Sequence, residues 1–186
     1  MTYIRVPLPK PKPKIIIICG AEKGGTVQAN RTNHPEAHIY AIEPEQASFE
    51  ILCEKFKRDG KVTLINKAVW TEDGVKKLYI ASSSAVHSFY VKDYGDMRSD
   101  KFQEVETLDF AKFLETFDHV DIIRMNMEGA EYEVLKHCFE KGSLDRVGIL
   151  EVSLHARKIK DVQPMHEEVK KKLEEWGKTH VLKELK

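Results

Sequence analysis

The chain has 186 residues, 41% hydrophobic and 32% charged, with 30 Lys plus Arg against 30 Asp plus Glu. That length suits one domain with a substantial core, and a net charge of zero gives no overall electrostatic case for nucleic acid, whose binders carry a basic excess. Cys19, Cys53 and Cys138 are odd in number, far apart and without a CxxC pair. They suggest neither a disulfide framework nor a zinc site, but reduced thiols in a cytoplasmic protein.

The opening "RVPLPKPKPK" loses amide donors and backbone freedom at each proline, so residues 1–14 read as an extended arm. This is not the pattern of a signal peptide. "KIIIICG" follows as a strand without polar alternation, the pattern of a strand covered on both faces. Its apolar run is too short to span a bilayer. "AEKGGTVQANRTNH" turns through glycines into a short helix. "AHIYAIEPE" is a second strand ended by Pro44, which suits the first turn of a helix. From there to about Arg58, Phe49, Leu52, Cys53 and Phe56 fall at i, i+3, i+4 and i+7, one apolar stripe. "KVTLINKAVW" is a third strand running into a loop.

The middle of the chain changes character. "TEDGVKKLYIASSSAVHSFY" has turn chemistry at Asp73 and Gly74 and suggests a hairpin or meander. "DYGDMRSDK" is a polar loop, and "VETLDFAKFLETF" carries a strand end and a helix capped by Asp109. "HVDIIRMN" is a strand, "GAEYEVLKHCFEKG" a helix ended by Gly142, and "DRVGILEVSLH" another strand. "QPMHEEVKKKLEEWG" is a charged amphipathic helix, and "THVLKEL" a last strand. Strands alternating with helices in this way predict an α/β fold, a doubly wound and mostly parallel sheet over residues 15–186.

Open sheets of this kind bind ligands at the carboxyl ends of their strands, which directs attention to three places. "CGAEKGG" lets the backbone turn tightly at Gly20 and Gly24, although it does not match GxGxxG and is also compatible with a purely structural loop. Glu43, ending the second strand, is placed to accept hydrogen bonds from both hydroxyls of a ribose; the alternative is an exposed acid near a helix N-terminus. Asn126, Met127 and Glu128 end a later strand, opposite Gly20. There Asn126 could instead cap the following helix and Glu128 could be its first-turn acid. No His or Asp cluster has the spacing of metal ligands.

"IYAIEPEQASFEIL", "NKAVWTEDG", "ETLD" and "MEGAEYEVL", in that order, resemble the FkbM family of S-adenosylmethionine-dependent methyltransferases. The resemblance covers about residues 15–155. It implies a class I, Rossmann-like sheet with a C-terminal antiparallel strand, which "THVLKEL" would supply. It also implies S-adenosylmethionine as cofactor, with Gly20, Ala21, Glu22 and Gly24 under the methionine part and Glu43 on the ribose. Asn66 to Ala68 would border the adenine, and Asn126 to Glu128 would face the sulfonium and the methyl acceptor. The expected reaction is methylation of a hydroxyl on a small molecule or glycan. His155 is the first candidate for its general base, because imidazole titrates near neutrality; Glu128 and Glu151 are alternatives, and His87 a lesser one. Serines 82 to 84 could bind a polar substrate or simply form a turn.

The family commonly reads D-x-G-A-N-x-G in the first loop and DIEGAE at the later strand. Here Ile18 stands for the first acid, Glu22 for the Asn, and Asn126 for the second acid. These substitutions carry an alternative reading, a catalytically silent relative that binds a ligand or a protein partner. A nicotinamide-dependent oxidoreductase would use the same Glu43 contact, but the absence of GxGxxG argues against it. The identity of the acceptor and the oligomeric state are not expressed in such patterns.

Overall fold

The computed structural model describes residues 13–80, 87–90, 101–156 and 159–184. The expected arm, apart from Pro13 and Lys14, and the serines 82 to 84 lie outside the described residues. The elements in chain order are β1 (Ile15–Cys19), α1 (Gly25–Asn33), β2 (His38–Ile42), α2 (Gln46–Phe56), β3 (Val62–Ile65), β4 (Ala68–Trp70) and β5 (Gly74–Tyr79). They continue with β6 (Phe102–Asp109), α3 (Phe110–Glu115), β7 (Val120–Met125), α4 (Glu131–Lys141), β8 (Val147–Leu154), α5 (Gln163–Glu175) and β9 (Thr179–Glu184). None of the described helices is long and apolar enough to cross a membrane.

Six strands form the main sheet in the order β3-β2-β1-β7-β8-β9, and every pairing is parallel. The unbroken apolar run of β1 follows from its central place. Ile16 and Ile18 pack with Val27, Leu52 and Phe56 on the face of α1 and α2. Ile17 and Cys19 pack on the opposite face with Val134, Leu135 and Leu150. Ile16, Ile17 and Ile18 are at most 1% exposed, and burying each is worth about 1.5–3 kcal/mol.

The expected antiparallel final strand is corrected here. β9 pairs with β8 in parallel register, from Ile149 opposite Thr179 to Leu154 opposite Glu184. The 13-residue α5 carries the chain back to the starting edge of the sheet, and such a helical crossover joins parallel strands. The third strand also differs from expectation, because it divides. β3 ends at Ile65, and β4 joins a second, three-stranded sheet in the order β4-β6-β5. The break falls at Asn66, whose side-chain amide turns back to donate to the carbonyls of Glu43 (2.9 Å) and Pro44 (3.3 Å). The hairpin expected around Asp73 and Gly74 does not form: β4 and β5, which flank that turn, lie on either side of β6, β4 parallel to it and β5 antiparallel.

Caps set the helix boundaries. Asp109 caps α3, its carboxylate accepting from the Lys112 amide at 3.2 Å, and it also meets His137 Nε2 at 3.2 Å. Gly142, at φ 66°, ends α4. α4 starts at Glu131 with no side-chain cap, and its first-turn acids are Glu131 and Glu133. Asn126 therefore does not cap this helix and Glu128 does not belong to its first turn; both lie in the turn before it.

The order of the main sheet reverses between β1 and β7, so the crevice expected in such folds opens there. The Asn126 amide donates to the Cys19 carbonyl at 3.1 Å, and Gly20 and Ala21 both donate to the Ile42 carbonyl at 3.0 Å. Gly20 sits at φ 80°, and a Cβ on it would lie 2.1 Å from the Asn126 carbonyl oxygen. Gly20→Ala is accordingly expected to lower the unfolding free energy by about 2 kcal/mol or more. Asp109→Ala is expected to lower it by about 1–2 kcal/mol through loss of the cap. Urea unfolding with an unchanged m-value checks both.

Candidate functional site

An open cleft of about 580 Å³ lies at the carboxyl edge of β1, β2 and β7. It brings together eight of the candidate site residues singled out in the sequence: Gly20, Glu22, Glu43, Ala68, His87, Asn126, Met127 and Glu128. Its apolar lining includes Ile42, Ala68, Val69, Leu78 and Phe89. Three acids, Glu22, Glu43 and Glu128, also line it, and none of the described lining residues is Lys or Arg.

Glu43 follows β2 directly and is only 5% exposed. Its Oε2 accepts from the Glu22 amide at 2.8 Å and its Oε1 from the Glu45 amide at 2.9 Å. Burial pushes its carboxyl up to about 7, against the opposing pull of these two amides. Glu45, two residues on, acts elsewhere, because its side chain accepts from the Ala47 and Ser48 amides and caps α2. The sequence "EPE" thus sends its first acid into the cleft and its second onto a helix end.

Glu22 and Glu128 are the non-glycine residues with positive φ among those described, at 47° and 51°. Burial, and then repulsion from Glu128, raise the Glu22 carboxyl above its ordinary value. The Glu128 carbonyl accepts from Ser88 Oγ at 2.6 Å. Beside it, Gly129 at φ 109° has no room for a Cβ, which would lie 2.6 Å from Ile159 Cδ1 and 3.0 Å from Tyr90 Cδ2. This turn aims Glu128 at the cleft.

His155, at the end of β8, is fully buried and does not line the cleft. Its Nδ1 lies 2.5 Å from Glu131 Oε1 and its Nε2 3.1 Å from Glu128 Oε1. The second contact is at ion-pair distance but off the line that a hydrogen bond needs. Burial disfavours the imidazolium, yet the two carboxylates outweigh it and raise His155 to about 9.

Ala21, Gly24 and Asn66 also stand behind the cleft wall. Gly24, at φ 86°, starts α1 against Leu52 and Phe56, where a Cβ would come within 2.9 Å of both side chains. Ala21 accepts from the Gly24 amide at 2.9 Å. Asn66 holds the Glu43 and Pro44 carbonyls as described. Glu151, the other candidate base, pairs with Arg124, and both line a separate polar cleft that shares Gly20 and Asn126 with the first. The sequence reading missed Glu131 and, apart from Ala68, the apolar lining. Glu131 looks like any first-turn acid, and Leu78 and Phe89 reach the cleft only through the second sheet.

The family model described as the methyltransferase FkbM domain matches residues 19–179. No curated protein matches the chain. Among solved structures, the chain is similar to one in the crystal structure of a fibrillarin/Nop5p complex, with 18% identity and a TM-score of 0.48, covering 88% of this chain and 62% of that one. It is also similar to Gre2 from Candida albicans, with 9% identity and a TM-score of 0.41, covering 77% and 37%. The chain thus spans less than two thirds of either of these proteins. Because the family match runs through every strand end that lines the cleft, the chain belongs to the FkbM methyltransferase domain family.

Proposed function

We propose that this domain binds S-adenosylmethionine in the acidic cleft and methylates a hydroxyl on a small molecule or glycan. The observation that carries the reading is Glu43, a buried carboxylate held by two amides at the end of β2. Three further features fit the cofactor. The Asn126 Oδ1 is buried without a hydrogen-bond partner among the described residues. Gly20 leaves no side chain at the narrowest point of the loop. The lining combines apolar side chains with three acids, which suits a flat base joined to a cationic tail.

When bound, the cofactor would supply an electrophilic methyl group on a sulfonium. Glu43 would accept from the ribose hydroxyls, and Ala68, Val69 and Phe89 would exclude water around the base. Asn126 and Glu22 would accept from the ammonium group. An imidazolium has no lone pair to receive a proton, so we assign the acceptor's proton to Glu128 rather than to His155. Alignment of the hydroxyl with the methyl and sulfur supplies most of the remaining rate.

The reading of a silent, ligand-binding relative keeps one specific observation in its favour: Ile18 is apolar and 1% exposed where the family commonly has an acid.

Titration calorimetry with S-adenosylhomocysteine tests the cofactor. Glu43→Ala is expected to weaken binding by about 1.5–3 kcal/mol, the worth of a hydrogen bond to a charged group. Affinity should rise with pH through about 7 as Glu43 ionises, and Glu43→Ala should lose that dependence. The same shift has a cost in the free protein. The folded state binds this proton more tightly, so Glu43 contributes stability that is present below its ordinary value of 4.5 and lost as pH rises through about 7. No heat and no thermal shift at millimolar ligand would refute cofactor binding. Binding without transfer to a panel of sugars and alcohols would favour the silent relative.

A further inference from the structure

The turn from 126 to 130 is held more firmly than a loop of its length requires. Glu128 keeps a left-handed backbone at φ 51°, a conformation that costs a non-glycine residue about 1 kcal/mol or more. Ser88 Oγ holds its carbonyl from one side. From the other, Glu131 Oε2 accepts from the Gly129 amide at 3.0 Å while its Oε1 takes His155 Nδ1. The second imidazole nitrogen is then turned to Glu128 Oε1. Glu131 and His155 are both fully buried, so neither touches a ligand in the cleft. Two carboxylates around one imidazolium leave one net negative charge, and Glu128 is the member of the group that lines the cleft.

Resting on the cofactor reading above, we infer that His155, braced by Glu131, is a positioning residue. It fixes Glu128 as an anion in the cleft wall, so that the site prefers a cationic sulfonium to the neutral thioether left after methyl transfer. The preference has a catalytic use, because the spent cofactor then leaves more readily than the fresh one. A histidine serving only to fill the core would have no effect on it.

Calorimetry with S-adenosylmethionine and S-adenosylhomocysteine, on the whole chain, reads this preference as a ratio of affinities. An opposite charge at close range is worth about one to three powers of ten in an ionisation equilibrium, so wild type should favour the sulfonium by roughly tenfold or more. Glu128→Gln should bring the ratio close to one. His155→Gln and Glu131→Gln should reduce it several-fold while leaving the affinity for S-adenosylhomocysteine nearly unchanged. Should His155→Gln fail to fold, the imidazole carbon and nitrogen shifts of wild type, followed by NMR from pH 6 to 10, provide the second measurement. A ring still protonated at pH 8 supports the clamp, and a ring neutral at pH 7 overturns it. Binding of both compounds with an unchanged ratio in folded His155→Gln would overturn the positioning role alone. Failure of wild type to bind either compound would overturn the cofactor reading and this inference together.

Discussion

Two backbone amides converge on one buried carboxylate, and the geometry of the cleft depends on that junction. The Glu22 amide comes from the loop after β1 and the Glu45 amide from the turn after β2, and Glu43 receives both. The Ile42 carbonyl adds two further bonds to the same loop through Gly20 and Ala21. Asn66 reaches in from the end of β3 to hold the Glu43 carbonyl. Three strand ends are therefore tied together around an acid that has no arginine or lysine on it among the described residues. Burial leaves that acid high in energy when ionised, and a hydroxyl-bearing ligand would offset the cost.

Charge behind the cleft obeys the opposite balance. At Glu43 burial dominates and the amides only moderate it. At His155 burial is overcome, because two carboxylates stand against the ring. Both effects raise a pKa, one favouring a neutral acid and the other a cation. Together they place two protons near the cleft that an exposed Glu and His would have released more readily. The family substitutions look different in this light. Asn126 is neutral where an acid is common, yet Glu22 and Glu128 both line the cleft, and burial with added repulsion between them raises Glu22. The acidity is redistributed rather than lost.

Much of this could be read from residue order. The β1 run of isoleucines, the Asp109 cap, the stop at Gly142 and the acid that ends β2 at Glu43 are local signals, each set by a few neighbouring residues. Strand direction at β9 is not local. "THVLKEL" reads the same in either direction, and its orientation follows from the crossover made by α5. The break at Asn66 was equally hidden, because it depends on carbonyls more than 20 positions away. Glu131 is the instructive case. A glutamate in the first turn of a helix needs no explanation beyond the helix dipole, and only the fold shows it against His155. Asn126 and Glu128 carried the same bland alternatives, and there the turn before α4 places both in the cleft wall instead.

The Glu43 junction also has a dynamic consequence. A hydrogen-bonded amide exchanges its proton with solvent only when its bond opens. The Glu22 and Glu45 amides share one acceptor, so loss of that acceptor's charge loosens both at once. They lie far apart in sequence, one in a glycine turn and the other at a helix cap, yet their exchange rates are coupled through a single side chain. Anything that holds the carboxylate slows both amides, and the slowing reaches α2 through the residue that caps it.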